Sequence, residues 1–114
     1  MAIKRGEIYL VDLTDALGSE QKGVRPAVIV QNDIGNTHSP TTLIVPLTSK
    51  TKMNMAPTHV TIRPEDGVRL TSEAVCEQAR VADQIRLKKH IGTITNEAVL
   101  KEINQKLMVA FGLQ

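Results

Sequence analysis

Aromatic residues are almost missing from this chain. Trp is absent, and Tyr9 and Phe111 are its one Tyr and one Phe. A core therefore has to be built on Val, Ile and Leu. The same shortage argues against a nucleic-acid site of stacked aromatics, such as an RNA-recognition motif or an oligonucleotide-binding barrel. Cysteine is nearly missing too. The single Cys76 has no partner for an internal disulfide. It sits in Ala74-Val75-Cys76, which reads as a buried strand, so an inert core thiol is expected rather than a nucleophile. There is no Cys/His cluster with metal-ligand spacing, so no metal site and no cofactor is expected. No apolar run reaches the ~18 residues of a membrane span, and Met1 to Arg5 leads directly into a strand, so a soluble, cytoplasmic protein without a membrane partner is the expectation. A net charge of +2 is too small to predict nucleic-acid binding by itself.

What is present fits one domain over residues 1–114. Folding should bury roughly two-thirds of its surface, enough for an ordinary core. No internal repeat, low-complexity segment or linker divides it. The chain is organised around Gly18-Ser19-Glu20-Gln21-Lys22-Gly23-Val24-Arg25-Pro26. This polar stretch has glycines near both ends, lies between two apolar runs, and gathers a hydroxyl, an amide and a cation within a few residues. Glycines let such a loop bend and let another backbone come close. Arg25 stands where the loop meets Ala27-Val28-Ile29-Val30, a good place for a group that must neutralise a phosphate. The plain alternative is a long hairpin connection without function.

In order, Glu7 to Leu13 nearly alternates and reads as a strand. Pro26 to Val30 reads as a strand covered on both sides. Gln31 to Pro40, dense in turn formers, reads as a second long loop. Thr41 to Leu47 is the third strand, with Pro46 suggesting an edge position or a bulge. Lys50 and Lys52 leave the sheet, and Met53 to Pro57 is an irregular connection. Thr58 to Ile62, Ser72 to Gln78 and Lys88 to Ile94 complete the strands. Thr95 suits the N-cap of a helix whose apolar stripe is Val99, Leu100, Ile103, Leu107, Ala110 and Phe111. Several strands closed by one C-terminal helix describe a small, mostly antiparallel barrel or curled sheet.

Several of these pieces together resemble the MazF/PemK family of toxin endoribonucleases, in its Gram-positive, EndoA-like branch. They are Lys4-Arg5-Gly6-Glu7-Ile8-Tyr9, the Gly18–Pro26 stretch, Gln31-Asn32-Asp33, Thr48, Pro57-Thr58-His59-Val60, and Glu77-Gln78 with the downstream Arg86. The ordered set is specific because it includes loop, strand-end and turn residues that a generic core does not require. The resemblance covers the whole chain. It implies a mostly β fold with a C-terminal α-helix, an SH3-like barrel of the MazF/PemK/CcdB type. It also implies a homodimer and metal-independent cleavage of single-stranded RNA, leaving 2′,3′-cyclic phosphate and 5′-hydroxyl ends. The partner it implies is a MazE-like antitoxin whose C-terminal segment covers the RNA groove. The family's catalytic Arg and Thr fall on Arg25 and Thr48. Its RNA-contacting residues fall on Leu17, Gly18, Ser19, Glu20 and Gln21, with Ser49, His59, Glu77, Gln78 and Arg86 nearby.

Residue chemistry agrees with those roles. Cleavage through a cyclic phosphate uses the RNA's own 2′-hydroxyl, so the protein has to align it and stabilise charge on the phosphorane. An Arg fork suits the second task, and Thr48 can add a neutral hydrogen bond. His38, His59 and His90 are the competing acid–base candidates. His59 is expected to orient substrate or structure, with His38 and His90 solvated. Glu20, Glu77 and Gln78 suit the reading of base edges; their plain alternatives are a capped loop and a strand end in water. Lys50, Lys52, Lys88 and Lys89 could track phosphates or simply solvate the surface. Two rival functions stand beside the nuclease: a CcdB-like toxin that poisons DNA gyrase, and a passive binding barrel.

Overall fold

The computed structural model describes residues 2–49 and 56–114; the expectations for Lys50, Lys52 and the Met53–Met55 part of the following connection lie outside the described residues. The elements are β1 (Glu7–Leu13), β2 (Gly23–Ile29), α1 (Asp33–His38), β3 (Thr41–Thr48), β4 (His59–Ile62), β5 (Ser72–Val75), β6 (Arg80–Asp83), β7 (Leu87–Thr93) and α2 (Glu97–Ala110). All of the strand pairings are antiparallel. The sheet runs β4-β5-β3-β2-β1-β7, with β6 on β3 as well. Among the described residues it curls like a barrel but stays open between β4 and β7.

The curl follows from β3, which changes partners along its length. Thr41–Ile44 pairs with β6, and Leu47–Thr48 pairs with β5. Of the edge position or bulge expected from Pro46, the edge position is corrected: Pro46 is opposite Ala27 on an inner strand, beside the break where β3 changes partners. It falls in the gap between the β6 and β5 pairings, where its missing N–H costs no ladder bond.

The β-branched and aliphatic strands bury both faces, and Val, Ile and Leu supply most of the buried volume. One face gathers Ile8, Val28, Val45, Leu47, Val60, Ile62 and Ala74 under Ile103 of α2. The other gathers Tyr9, Val11, Leu13, Ala27, Ile29, Ile44 and Ala82. In α2 only Ile103 is fully buried, with Val99, Leu100 and Leu107 packed at its sides. Phe111 lies beyond the helix and is 66% exposed, so the expected stripe is shorter than drawn. The cap is Asn96 rather than Thr95, because the Asn96 side chain accepts from Ala98 N at 2.9 Å.

The Gln31–Pro40 loop is corrected to a short helix. Asn32 caps it by accepting from Gly35 N at 2.8 Å. Buried Asn36 then accepts from Thr42 Oγ1 at 2.6 Å and donates to Gln31 O at 3.0 Å. Turn-forming side chains that satisfy backbone groups of a helix end give the same composition as a loop. The strand expected over Ser72 to Gln78 ends at Val75. Cys76 N turns to Thr58 O at 3.1 Å, and Cys76–Gln78 forms a 3₁₀ turn. The second strand begins at Gly23, not Pro26, and β6 was not foreseen in the Ala79–Leu87 stretch.

Candidate functional site

Arg25 is the third residue of β2, opposite Val11 of β1. The strand fixes its backbone while the Gly18–Lys22 loop closes over its side chain. Its Nε donates to Lys22 O at 2.7 Å, and its Nη1 donates to Gln21 Oε1. Two of its donors are thus used for aiming, and Nη2 has no hydrogen-bond partner among the described residues. Gln21 is held in turn: its N–H donates to Gln78 Oε1 at 2.6 Å, and Gln78 Nε2 reaches Ser19 O at 3.4 Å. Loop, 3₁₀ turn and strand are tied into one arrangement around the guanidinium.

Arg25 and Thr48 both line two adjoining clefts. The first, of about 470 Å³, adds Glu20, Gln21, Lys22, His59, Glu73, Val75, Glu77 and Gln78. The second, of about 700 Å³, adds Leu10, Pro26, Leu47, Ser49, Val68, Arg69, Leu70, Lys89 and Ile91 among others. A third, of about 410 Å³, shares Glu20, Gln21, Glu77 and Gln78 with the first and extends it to Leu17, Asp15 and Arg80. The three form a surface path with Arg25 and Thr48 at an inner junction.

His59 opens β4 on the wall of the first cleft. Its Nδ1 is 2.7 Å from Glu73 Oε1 and its Nε2 is 3.0 Å from Glu77 Oε2. Two carboxylate acceptors favour the imidazolium, which donates from both nitrogens. Burial works against that charge, but the hydrogen bonds that the ring donates to Glu77 and Glu73 outweigh it and raise the His59 pKa above its ordinary value. For Glu77 burial works against ionisation. The Thr58 hydroxyl at 2.6 Å and the His59 ring prevail and hold its carboxyl below the usual range.

The sequence candidates do not all converge. Thr48, Glu20, Gln21, His59, Glu77 and Gln78 meet around Arg25, and Ser49 borders the neighbouring cleft. Leu17 is 76% exposed in the outer cleft. Gly18 turns the loop with φ 58°. Glu20 caps its own loop, accepting from Leu17 N at 2.7 Å. Arg86 is not brought to Arg25: its Nη1 donates to Asp12 O at 3.1 Å and its Nη2 pairs with Asp15 at 3.0 Å. His38 is exposed at the end of α1, and His90 stacks on Tyr9 with centroids 5.0 Å apart. Sequence reasoning missed Glu73. A carboxylate inside the otherwise small and apolar Ser72-Glu73-Ala74-Val75 was the signal that could have found it. Among the described residues, no group of three or more His, Cys, Asp or Glu is arranged to hold a metal ion. No described helix is long and apolar enough to cross a membrane.

A curled antiparallel sheet with one packed C-terminal helix, bearing a polar groove with an Arg and a Thr at its junction, describes a small barrel-like β domain with a candidate phosphate-binding groove. Residues 4–111 match the family model described as PemK-like, MazF-like toxin of type II toxin–antitoxin system. The chain belongs to this PemK/MazF family of toxin endoribonucleases. It is 39% identical over 113 residues to Endoribonuclease MazF of Staphylococcus saprophyticus, covering 97% of this chain and 92% of that one. Among solved structures, MazF from Deinococcus radiodurans superposes with a TM-score of 0.85 at 25% identity, covering 98% of each chain. A mycobacterial endoribonuclease in complex with its cognate antitoxin gives a TM-score of 0.76 at 29% identity, covering 99% of this chain and 96% of that one.

Proposed function

We propose that this protein is the toxin of a type II toxin–antitoxin pair and cuts single-stranded mRNA in the cytoplasm at a short sequence, without a metal ion. The observation that carries the reading is the position of Arg25 and Thr48 at the junction of two clefts. A strand of RNA lying along the path brings one phosphate to that junction and its flanking nucleotides into the clefts on either side.

The 2′-oxygen attacks the phosphorus on the adjacent 3′-oxygen, the P–O5′ bond breaks, the 2′ proton is lost and the 5′-oxygen gains one. The products are a 2′,3′-cyclic phosphate and a 5′-hydroxyl. Arg25 stabilises the charge that grows on the phosphorane, using a donor not consumed by Gln21 and Lys22. Thr48 adds a hydroxyl contact to the same phosphate. Glu20, Glu77 and Gln78 stand where base edges pass, and carboxylates and amides match exocyclic amines and ring nitrogens.

The active species in this reading is a homodimer. Leu43 and Val81, opposite one another across β3 and β6, stay exposed together with Ile85, which is apolar surface that a second copy can cover. A MazE-like antitoxin fits the second cleft, where Leu10, Pro26, Leu47, Val68 and Leu70 accept apolar anchors beside the cations Arg69 and Lys89. The mycobacterial relative was solved in complex with its cognate antitoxin.

The test is incubation of purified protein with a long RNA in excess EDTA, with chemical mapping of both new ends. Cleavage in single-stranded stretches that leaves a cyclic phosphate and a 5′-hydroxyl is expected. An absolute need for a divalent ion sinks the metal-free mechanism. No cleavage together with gyrase inhibition selects the CcdB-like alternative.

A further inference from the structure

The first cleft has a composition that an RNA groove should avoid. Glu20, Glu73 and Glu77 face it alongside Arg25, Lys22 and His59. A polyanion entering there meets three carboxylates, a repulsion that has to be offset. Glu73 is the least easily explained of them. It is 7% exposed, is opposite Thr48 in the β3–β5 register and opposite Thr61 in the β4–β5 register. An ionised side chain is rarely buried to that degree without a partner. Its partner is the Nδ1 edge of His59 at 2.7 Å.

The two carboxylates on His59 differ in kind. Glu73 is fixed within a strand, whereas Glu77 sits on a 3₁₀ turn with its side chain 44% exposed. Glu77 also has a second partner, the Thr58 hydroxyl at 2.6 Å, which can hold it when the ring is taken away. One side of the imidazole is therefore permanent and the other exchangeable.

We propose that Glu73 is a positioning residue, which keeps the His59 ring doubly protonated and aimed so that Nε2–H passes from Glu77 to an RNA phosphate oxygen beside Arg25 and Thr48. Glu73 itself never touches substrate. Its charge compensates the imidazolium, and its rigid backbone sets the ring plane. This rests on the proposed RNA-cutting reading of the same site and names a group that reading did not need. The charged groups facing His59 are Glu73 from β5, Glu77 from the 3₁₀ turn, and Arg25 with Lys22 and Glu20 across the cleft from β2 and its preceding loop. The Thr58 hydroxyl completes the shell. Burial opposes protonation of His59 and the Glu73 charge favours it, so without Glu73 the balance shifts toward the neutral ring. The raised pKa of His59 agrees with the arrangement.

The experiment is a pH series on the full-length protein and its Glu73→Gln variant, which keeps the shape and an acceptor oxygen but removes the charge. Two readouts are taken together: the NMR titration of the His59 ring without RNA, and single-turnover cleavage of an RNA that the parent cuts. Circular dichroism and a thermal melt verify folding, and Glu73→Asp supplies a second variant that keeps the charge. In Glu73→Gln the ring should lose its proton at lower pH. The alkaline limb of the cleavage profile should move down with it, while the rate on the acid side of the limb is retained. Glu73→Asp should restore the position of that limb. A purely structural role for Glu73 lowers the rate at every pH and leaves the limb in place, which overturns the proposal. A His59 titration that does not respond to Glu73→Gln overturns it as well. Absence of cleavage by the parent at every pH is a different failure: it removes the nuclease reading and, with it, the phosphate as the acceptor for His59.

Discussion

Gln78 holds Gln21 by a single short contact, from the Gln21 N–H to Gln78 Oε1 at 2.6 Å, and Gln21 in turn accepts from Arg25. An amide on a 3₁₀ turn thus governs the aim of a guanidinium on a strand. Gln78→Ala should loosen the loop and lower single-turnover cleavage without unfolding the protein. Gln21→Ala should act in the same direction by freeing the Arg25 side chain. The double variant should cost less than the sum of the two, because both remove one chain of contacts. Additive losses in that cycle would show that the two amides act separately, for instance by reading bases.

Cys76 should be silent to thiol reagents in the folded protein. Burial first, and the Glu77 and Glu102 charges second, push its thiol up to about 12. At pH 8 almost no thiolate is present, and the side chain is 1% exposed. Reaction with a disulfide reagent should be absent in native buffer and complete after denaturation. Fast labelling of the native protein contradicts this.

The contrast between Cys76 and Glu73 marks what was legible in the sequence. Cys76 lay in an apolar triplet, and burial follows from its neighbours. Arg25, Thr48, Glu77 and Gln78, which line one cleft, were picked out as candidates because they stand in an ordered set of loop and strand-end residues. Glu73 was not, because its role depends on β4 bringing His59 alongside β5, a long-range pairing that no local pattern records. The α1 helix was hidden for the opposite reason. Asn32, Asp33, Gly35 and Asn36 read locally as a loop, yet Asn32 and Asn36 spend their side chains on helix capping and on Gln31 and Thr42. Arg86, expected near the loop by resemblance, is held by Asp12 and Asp15, and Asp15 borders the outer cleft beside Leu17 rather than the Arg25 junction.

Gly67 and Gly92 make a backbone crossing that tolerates no side chain. A Cβ on Gly92 would fall 2.0 Å from Gly67 O, and Gly67 itself has φ 114°. Gly92→Ala should destabilise the fold by roughly 1–3 kcal/mol or more, as overpacking does. Gly112→Ala should cost only about 1 kcal/mol, the penalty of a left-handed conformation in open space. Urea melts of the two variants compare them directly; equal midpoints would refute the crossing.

His59 and Glu77 should leave opposite marks on stability against pH. The folded pKa of His59 is raised, so its contribution is present below the unfolded value of ~6.5 and fades as pH rises through the folded value. The folded pKa of Glu77 is lowered, so its contribution is present above the unfolded value of ~4.3 and fades as pH falls through the folded value. The Tm difference between parent and Glu77→Gln should therefore be largest between about pH 4.5 and 6.5 and shrink on both sides. The exposure of Glu77 makes the effect modest. A difference that grows steadily toward alkaline pH contradicts the ion pair.

Arg25 can be separated from its neighbours by comparing turnover with affinity. Its Nε and Nη1 are spent on Lys22 and Gln21, and those contacts exist before RNA arrives. The guanidinium is therefore placed in advance, which is what stabilising a developing charge requires. Arg25→Ala should lower single-turnover cleavage by roughly 100- to 1000-fold, about 3–4 kcal/mol, while binding of a 2′-deoxy substrate that cannot be cut falls much less. Arg25→Lys should rescue little, because one ammonium cannot both keep the Gln21 and Lys22 contacts and meet the phosphate. Thr48→Ala should do less damage than Arg25→Ala, and Thr48→Ser should come close to the parent. Glu20→Ala should instead blur sequence preference at unchanged chemistry. A folded, dimeric Arg25→Ala that cuts at the parental rate removes Arg25 from the reaction and leaves His59, in the same cleft, as the group to test next.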